Sequence, residues 1–377
     1  MSRPTFKEFF HSATGNTPYC YQCRLACGFN ARPNDSKTLL DGTSCQSQLI
    51  NIPTGLGKTA AVVLAWLWNR VAHPTTAHRD AWPRRLVYCL PMRTLVEQTG
   101  EAISQWINNL LNAVENGELA LPEAAIEQLR WLKDHSPVIL MGGEDATDWD
   151  INPEKPAIIV GTQDMLLSRA LNRGYGMARA RWPMHFGLLN NDALWVLDET
   201  QLMGVGVRTS AQLEGLRRKI GTALGCATWW ASATLDSRLL ITPDHPDLPP
   251  TLKLEAEDRS CPEVHARIDS VKRLAALPLT LTADSSKAVA PYIEAFAEAV
   301  VSKHQAGTLT LVILNRVDRA RDLYAALDKL AKKQTLPERV LVHSRFRPME
   351  REDLAKRVKA PGEKIIVATQ AIEAGVD

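Results

Sequence analysis

The chain has 377 residues, room for two to three domains at about 150 residues each, which excludes a small disulfide-stapled scaffold. Its 44 Lys and Arg against 42 Asp and Glu leave a net charge of +2, so nucleic acid is not bound through net charge alone and any such contact is local. With 45% hydrophobic and 23% charged residues the composition is globular rather than disordered, and the longest apolar run, Ala60–Trp68, is far shorter than the about 20 residues of a membrane span.

The N-terminus carries charges and a proline where a secretory signal has an apolar core, and the 7 cysteines are odd in number, so a reducing cytoplasm is the expected compartment. Short apolar runs then alternate with longer amphipathic stretches, the pattern of βα units around parallel sheets. Strands are expected at 48–52, 85–90, 157–162, 193–198, 226–234, 310–315, 339–344 and 364–369. Helices are expected at 59–71, 94–114, 208–224, 288–304 and 318–333. Residues 242–287, with TPDHPDLPPT and a charged EAEDRSCPE, look like a linker between two α/β lobes, 1–265 and 266–377.

The segment Asn51-Ile-Pro-Thr54-Gly55-Leu-Gly57-Lys58-Thr59 follows a strand and opens a helix, as a phosphate-binding loop does. Gly55 and Gly57 let backbone N–H groups turn toward phosphate oxygens, Lys58 reaches the β/γ-phosphates of ATP, and the Thr59 hydroxyl is placed to ligate Mg²⁺. Ile52 replaces the first glycine of the strict motif. The strand at 193–198 ends in Asp198-Glu199-Thr200-Gln201, where a phosphate-loop enzyme keeps its second metal-holding acid. Asp198 is expected to hold Mg²⁺ and Glu199 to polarise the attacking water. A helix N-terminus with dipole-complementing acids is the competing reading of those two carboxylates.

In this order the segments resemble the superfamily 2 helicases, from about residue 18 to 377. Pro18-Tyr19 with Gln22 is similar to the adenine-recognition glutamine region, Arg93-Thr94 lie in a motif Ia-like stretch, and Thr162-Gln163 in a motif Ib-like one. The resemblance implies that Arg93, Thr94, Thr162 and Gln163 touch the nucleic-acid backbone and that Ser232 and Thr234, in Ser-Ala-Thr, couple hydrolysis to movement. In the second half, Asn315-Arg316 resembles motif IV, His343-Ser344 a backbone-contacting segment, and Thr369-Gln370 through Gly375 and Asp377 motif V, with Gly375 and Asp377 near the nucleotide. The fold implied is two RecA-like parallel-sheet lobes, the second truncated, with ATP between them.

The TQxIEAGVD form and the Ser-Arg-Phe run after His343 are similar to the CRISPR-associated helicase-nuclease of type I systems. That resemblance implies single-stranded DNA as track, a guide-RNA surveillance complex as recruiting partner, and an associated nuclease. No His-Asp dipeptide is present and Lys58 comes early, so the nuclease is expected to follow the helicase or to be a separate chain. Gln201 stands where many relatives have His or Asp, and an amide donates and accepts but does not titrate. The chain ends within motif V without the arginines of motif VI, so it is expected to be part of a longer helicase and to hydrolyse ATP poorly alone. An RNA helicase, and an ATP- and nucleic-acid-binding module without turnover, are the alternatives.

Four weaker signals remain. Arg169, Arg173, Arg179 and Arg181, interleaved with Tyr175 and Trp182, fit a nucleic-acid patch and a solvated face equally. Cys20, Cys23 and Cys27, with Cys45 further on, fit either a metal site or buried thiols on one helix face, the latter favoured. Residues 345–359 fit an ordinary charged helix, and His135 a structural histidine.

Overall fold

The computed structural model describes residues 3–28, 30–33, 35, 38–40, 42–142, 149–234, 236–271, 273–343, 345–369 and 372. The chain divides into two compact units, Met1–Ser270 and Val271–Asp377.

In the first unit, seven strands form one sheet: β1 (Gln48–Asn51), β2 (Arg85–Leu90), β3 (Val138–Leu140), β4 (Ala157–Thr162), β5 (Ala193–Leu197), β6 (Cys226–Ser232) and β7 (Thr251–Lys253). Their order is β3-β4-β2-β5-β6-β1-β7 and every pairing is parallel. Parallel neighbours need crossover connections, which place helices on both faces, so the inner strands must be apolar throughout. β2 and β5 are indeed buried at every position. Successive side chains point to opposite faces. Leu86, Tyr88 and Leu90 join one core with helices Phe6–Thr14, Lys58–Trp66 and Arg93–Glu115, and Val87 and Cys89 join another with helices Gln163–Ala170 and Val205–Ile220.

The apolar run Ala60–Trp68 is explained by this layering. Its helix is buried all round and continues into a π-helical turn, Leu67–Ala72. No helix among the described residues is long and apolar enough to cross a membrane.

The second unit has β8 (Leu309–Ile313), β9 (Glu338–Val342) and β10 (Lys364–Ala368), parallel in the order β8-β10-β9. Central β10 is wholly buried. Val312, Ile365 and Val367 pack with helices Ser286–Lys303 and Val317–Ala331, while Val340, Ile366 and Ala368 pack with Val358 of helix Pro348–Lys359. The two parallel sheets form the mixed α/β architecture expected of RecA-like lobes.

Residues 242–287 differ from the expected linker. They contain β7, which pairs with β1, and two short helices, Ala256–Arg259 and Pro262–Ile268. The second helix runs across position 265/266, and the units divide at 270/271. β3 and β7 have three residues each, too few to display a period. The cysteine face resolves as packing: Cys23 and Cys27 lie in the apolar core on helix Cys20–Cys27, and burial pushes the Cys23 thiol up to about 12. Among the described residues no group of three or more His, Cys, Asp or Glu is placed to hold a metal.

Candidate functional site

Parallel α/β sheets collect their ligands at the carboxyl ends of the strands. In the first unit Asn51 of β1 is level with Ser232 of β6, Leu197 of β5 with Trp230 of β6, and Leu90 of β2 with Thr162 of β4. The register therefore brings the segments after β1, β2, β4, β5 and β6 to one edge.

After β1 the chain turns through Gly55 (φ +75°) and Gly57 (φ +72°), left-handed values that a side chain disfavours. Gly57 is the N-cap of helix Lys58–Trp66, so the loop ends on free helix N–H groups, a natural anion seat. Thr54 is exposed at the crest. The buried Lys58 folds back and donates from Nζ to the carbonyls of Ile52 (3.1 Å) and Pro53 (3.5 Å). The loop is braced from helix Cys20–Cys27: the Tyr21 hydroxyl donates to Leu56 O (2.6 Å), and Gln22 Nε2 donates to Gly57 O (3.1 Å). Gln22 Oε1 accepts from Tyr19 N (2.8 Å), so both ends of this buried amide are held beside the phosphate loop.

On β5's end, Asp198 is buried and accepts from the Tyr88 hydroxyl at Oδ2 (2.7 Å) and from Glu199 N at Oδ1 (2.9 Å). Tyr88 also hydrogen-bonds the Thr59 side chain, so one phenol links the two expected metal ligands. Burial raises the Asp198 carboxyl above its ordinary range and the Glu199 charge adds to that, while the Tyr88 bond and the Lys58 charge oppose it. Thr59 and Asp198 are hard oxygen donors of the kind Mg²⁺ takes. Glu199 has φ +53°, a strained conformation that holds the acid at the strand's end.

From Glu199 a chain of bonds runs to β6. Gln201 Nε2 donates to Glu199 Oε2 (2.5 Å), Ser232 Oγ donates to Gln201 Oε1 (2.7 Å), and Thr234 N donates to Ser232 Oγ (3.1 Å). The bifunctional amide of Gln201 is what permits this, since it gives a proton to a carboxylate and takes one from a hydroxyl.

The residues expected on nucleic acid fall into two groups. Arg93 is exposed at the start of helix Arg93–Glu115 with its guanidinium over Gly142, and Thr94 follows it. Thr162 caps helix Gln163–Ala170, while Gln163 turns Oε1 inward against Gly206, buried and unbonded. In the second unit Asn315 and Arg316 are exposed, and Arg316 pairs with Asp284 (2.7 Å). His343 is buried, stacked on Phe346 with centroids 4.1 Å apart, and held below its ordinary pKa chiefly by burial. Thr369 is buried after β10, with its N–H on Val342 O (3.1 Å). Ser344, Gln370, Gly375 and Asp377 lie outside the described residues.

Three contributors had no motif. Tyr88 lies mid-strand, where nothing distinguishes it from a core aromatic. Asp258, fully buried, accepts from Tyr21 N (2.6 Å), Arg24 Nη2 (2.7 Å) and Glu255 N (2.9 Å), clamping the helix that carries Gln22. Arg267, on the helix that follows, donates to Gly55 O of the phosphate loop. Both lie in the stretch expected to be linker, and only a Ser-Cys-Pro after the charged run hinted at a helix start.

Comparison with known proteins gives the family. The family described as DEAD/DEAH box helicase matches residues 33–240, and that described as CRISPR-associated nuclease/helicase Cas3, C-terminal, matches residues 306–377. No curated protein matches the sequence. Among solved structures, the chain is similar to S. cerevisiae Dbp5 bound to RNA and ADP BeF3, at 16% identity and a TM-score of 0.52, covering 100% of this chain and 76% of that one. The helicase MrfA bound to DNA and AMPPNP matches at 16% identity and a TM-score of 0.58, covering 100% and 46%. T. fusca Cas3 with ATP matches at 17% and 0.55, covering 100% and 42%, so the chain spans less than half the length of either of those two. The phosphate loop, the Asp-Glu pair and the family match together identify the chain as a member of the DEAD/DEAH box helicases of superfamily 2, ATP-dependent enzymes, with a Cas3-like second unit.

Proposed function

We propose that this chain is the motor of a CRISPR type I interference system, an ATP-driven translocase that unwinds target DNA at an R-loop for an associated nuclease. The observation that carries the reading is the Cas3-like match over residues 306–377 joined to the DEAD/DEAH box helicase match over residues 33–240. ATP seats on the N-terminus of helix Lys58–Trp66, with Lys58 leaving its loop carbonyls for the β- and γ-phosphates and Gln22 reading the base. Thr59 and Asp198 would hold Mg²⁺, which would supply charge neutralisation at the phosphates, and Glu199 would orient the attacking water. Loss of the γ-phosphate alters the load on Glu199, and the Gln201–Ser232–Thr234 bonds pass that change to β6. Arg93, Thr94 and Thr162, at two helix N-termini on the same edge, take phosphates of the strand. The remaining partners are single-stranded DNA, a guide-RNA surveillance complex that supplies sequence specificity, and a nuclease fused or separate.

The test is ATP hydrolysis with and without single-stranded DNA, against single-stranded RNA of the same sequence, with Lys58→Ala as control. A low rate of turnover in this chain, stimulated by DNA and dependent on Lys58, is the expected result. Stimulation by RNA alone overturns the DNA assignment in favour of an RNA helicase, a reading to which the RNA-bound Dbp5 gives weight. ATP binding without turnover under every condition leaves a binding module.

A further inference from the structure

Between the helix that begins at Gln163 and β5, the sequence runs from Met165 to Asn191 without one acidic residue, while carrying Arg169, Arg173, Arg179, Arg181 and His185. The structure divides these arginines. Arg169 is buried and donates to Met165 O (3.1 Å). Arg181 is bound to the fully buried Asp150 (2.6 Å), which also accepts from His185 (2.8 Å). Those two are anchors. Arg173 and Arg179 stay exposed, and between them stands Tyr175, 66% exposed.

The loop that carries Tyr175 is built rather than loose. Ser168 O accepts from Arg173 N (2.8 Å) and Gly174 N (3.3 Å), and Ser168 Oγ accepts from Tyr175 N (3.3 Å). Gly174 (φ +45°) lies so close on the Trp182 ring that a Cβ would overlap it, and Trp182 Nε1 donates to Met177 O (3.3 Å). The Arg179 guanidinium sits 5.8 Å from the same ring. An apolar ring is thus held out in water, flanked by two cations, by a scaffold that spends two more arginines on its own fixation. A ring exposed at this cost gains area only by covering something flat, and flanking guanidiniums select a partner with regularly spaced anions.

We propose that Tyr175 is a base-stacking platform for single-stranded nucleic acid, with Arg173 and Arg179 on the phosphates to either side. The inference rests on the helicase reading above and deepens it. The Tyr175 backbone is bonded to Ser168 Oγ, six residues along the helix from the Thr162 cap, so the platform's backbone lies roughly 9 Å along the helix axis from that cap, a span that a strand covers in a few nucleotides. Stacking on an exposed ring is sequence-tolerant, as a motor requires.

The test is fluorescence-anisotropy titration of the chain with a labelled single-stranded DNA, the same sequence as RNA, and a blunt duplex, each over a salt series. Tyr175→Ala is expected to weaken both single strands by about 5- to 150-fold, as loss of one stacked base does. Tyr175→Phe should bind as the parent does, because the ring is kept. Arg173→Ala and Arg179→Ala should each reduce the single-strand salt slope by about 0.7. The proposal is overturned if Tyr175→Ala binds single strands as the parent does, or if it weakens duplex and single strands equally. If the parent chain binds no single strand while hydrolysing ATP, the helicase reading falls with it; if the parent binds and Tyr175→Ala is neutral, only this inference falls.

Discussion

The two units solve the same problem, a parallel sheet, at different scales, and their expected functional residues differ accordingly. In the first, seven strands are covered on both faces and the side chains at the strand ends are tied to one another: Tyr88 to Asp198 and Thr59, Gln201 to Glu199 and Ser232, Asp258 to Tyr21 and Arg24. In the second, the three strands among the described residues leave Leu309, Leu311 and Ile313 of β8 more than 40% exposed, Arg316 is held in a surface ion pair, and His343 is packed on Phe346. A larger sheet buries a larger fraction of its surface, and buried polar groups must be paired. Preorganised chemistry therefore sits where the sheet is wide.

The sharpest way to break this comparison is Asp258→Ala. It strips a buried guanidinium of its main partner, and removing one member of a buried pair costs about 3–5 kcal/mol. Calorimetry should show the transition of the first unit falling and that of the second unchanged; equal shifts in both would mean the units do not unfold separately. Tyr88→Phe comes next. It removes a bond to the Asp198 carboxylate worth about 1.5–3 kcal/mol and, because that bond lowers the Asp198 pKa, moves it further up. Activity that needs the carboxylate is lost as pH falls through that pKa, so the acid limb of the kcat/KM profile should shift to higher pH, with a drop of about tenfold or more below it.

A smaller effect is expected from pH alone. Burial, with the charges of His78 and Arg3 beside it, lowers the His73 pKa from 6.5 to about 4. Between those values the unfolded chain binds a proton that the folded chain does not, so the first unit loses stability as pH falls from about 6.5 toward about 4. His73→Asn should flatten that dependence of Tm, and an unchanged slope would remove His73 as its cause. The smallest effect belongs to the second unit: Arg316→Ala breaks an exposed pair with Asp284 and should change stability by about 0–1 kcal/mol. A larger loss would show that unit to be more tightly organised than its burial indicates.

Much of the site was legible because a phosphate loop and an acid pair are contiguous strings whose chemistry depends on residue type and spacing. The strands at 85–90, 157–162 and 364–369 were equally plain, being apolar runs. Tyr88 was not, since its role depends on Thr59 and Asp198 lying on two other elements. Nor was the setting of Gln163, expected on the nucleic acid, whose side-chain carbonyl packs inward against Gly206. The basic patch divided in the same way, two arginines taken as anchors and two left exposed, which no spacing could have told.

By itself the sequence determined the class of fold and the order of the strands along the chain, and it marked the expected phosphate loop and acid pair. These follow from hydrophobic period and local turn chemistry, which act over a few residues. Only the tertiary structure decided that residues 242–270 close over the helix bearing Gln22, that β7 pairs with β1, and that one tyrosine joins the two expected metal ligands. Each of those is a contact between groups far apart in sequence, set by desolvation: a buried carboxylate or phenol must find its partner wherever packing places one.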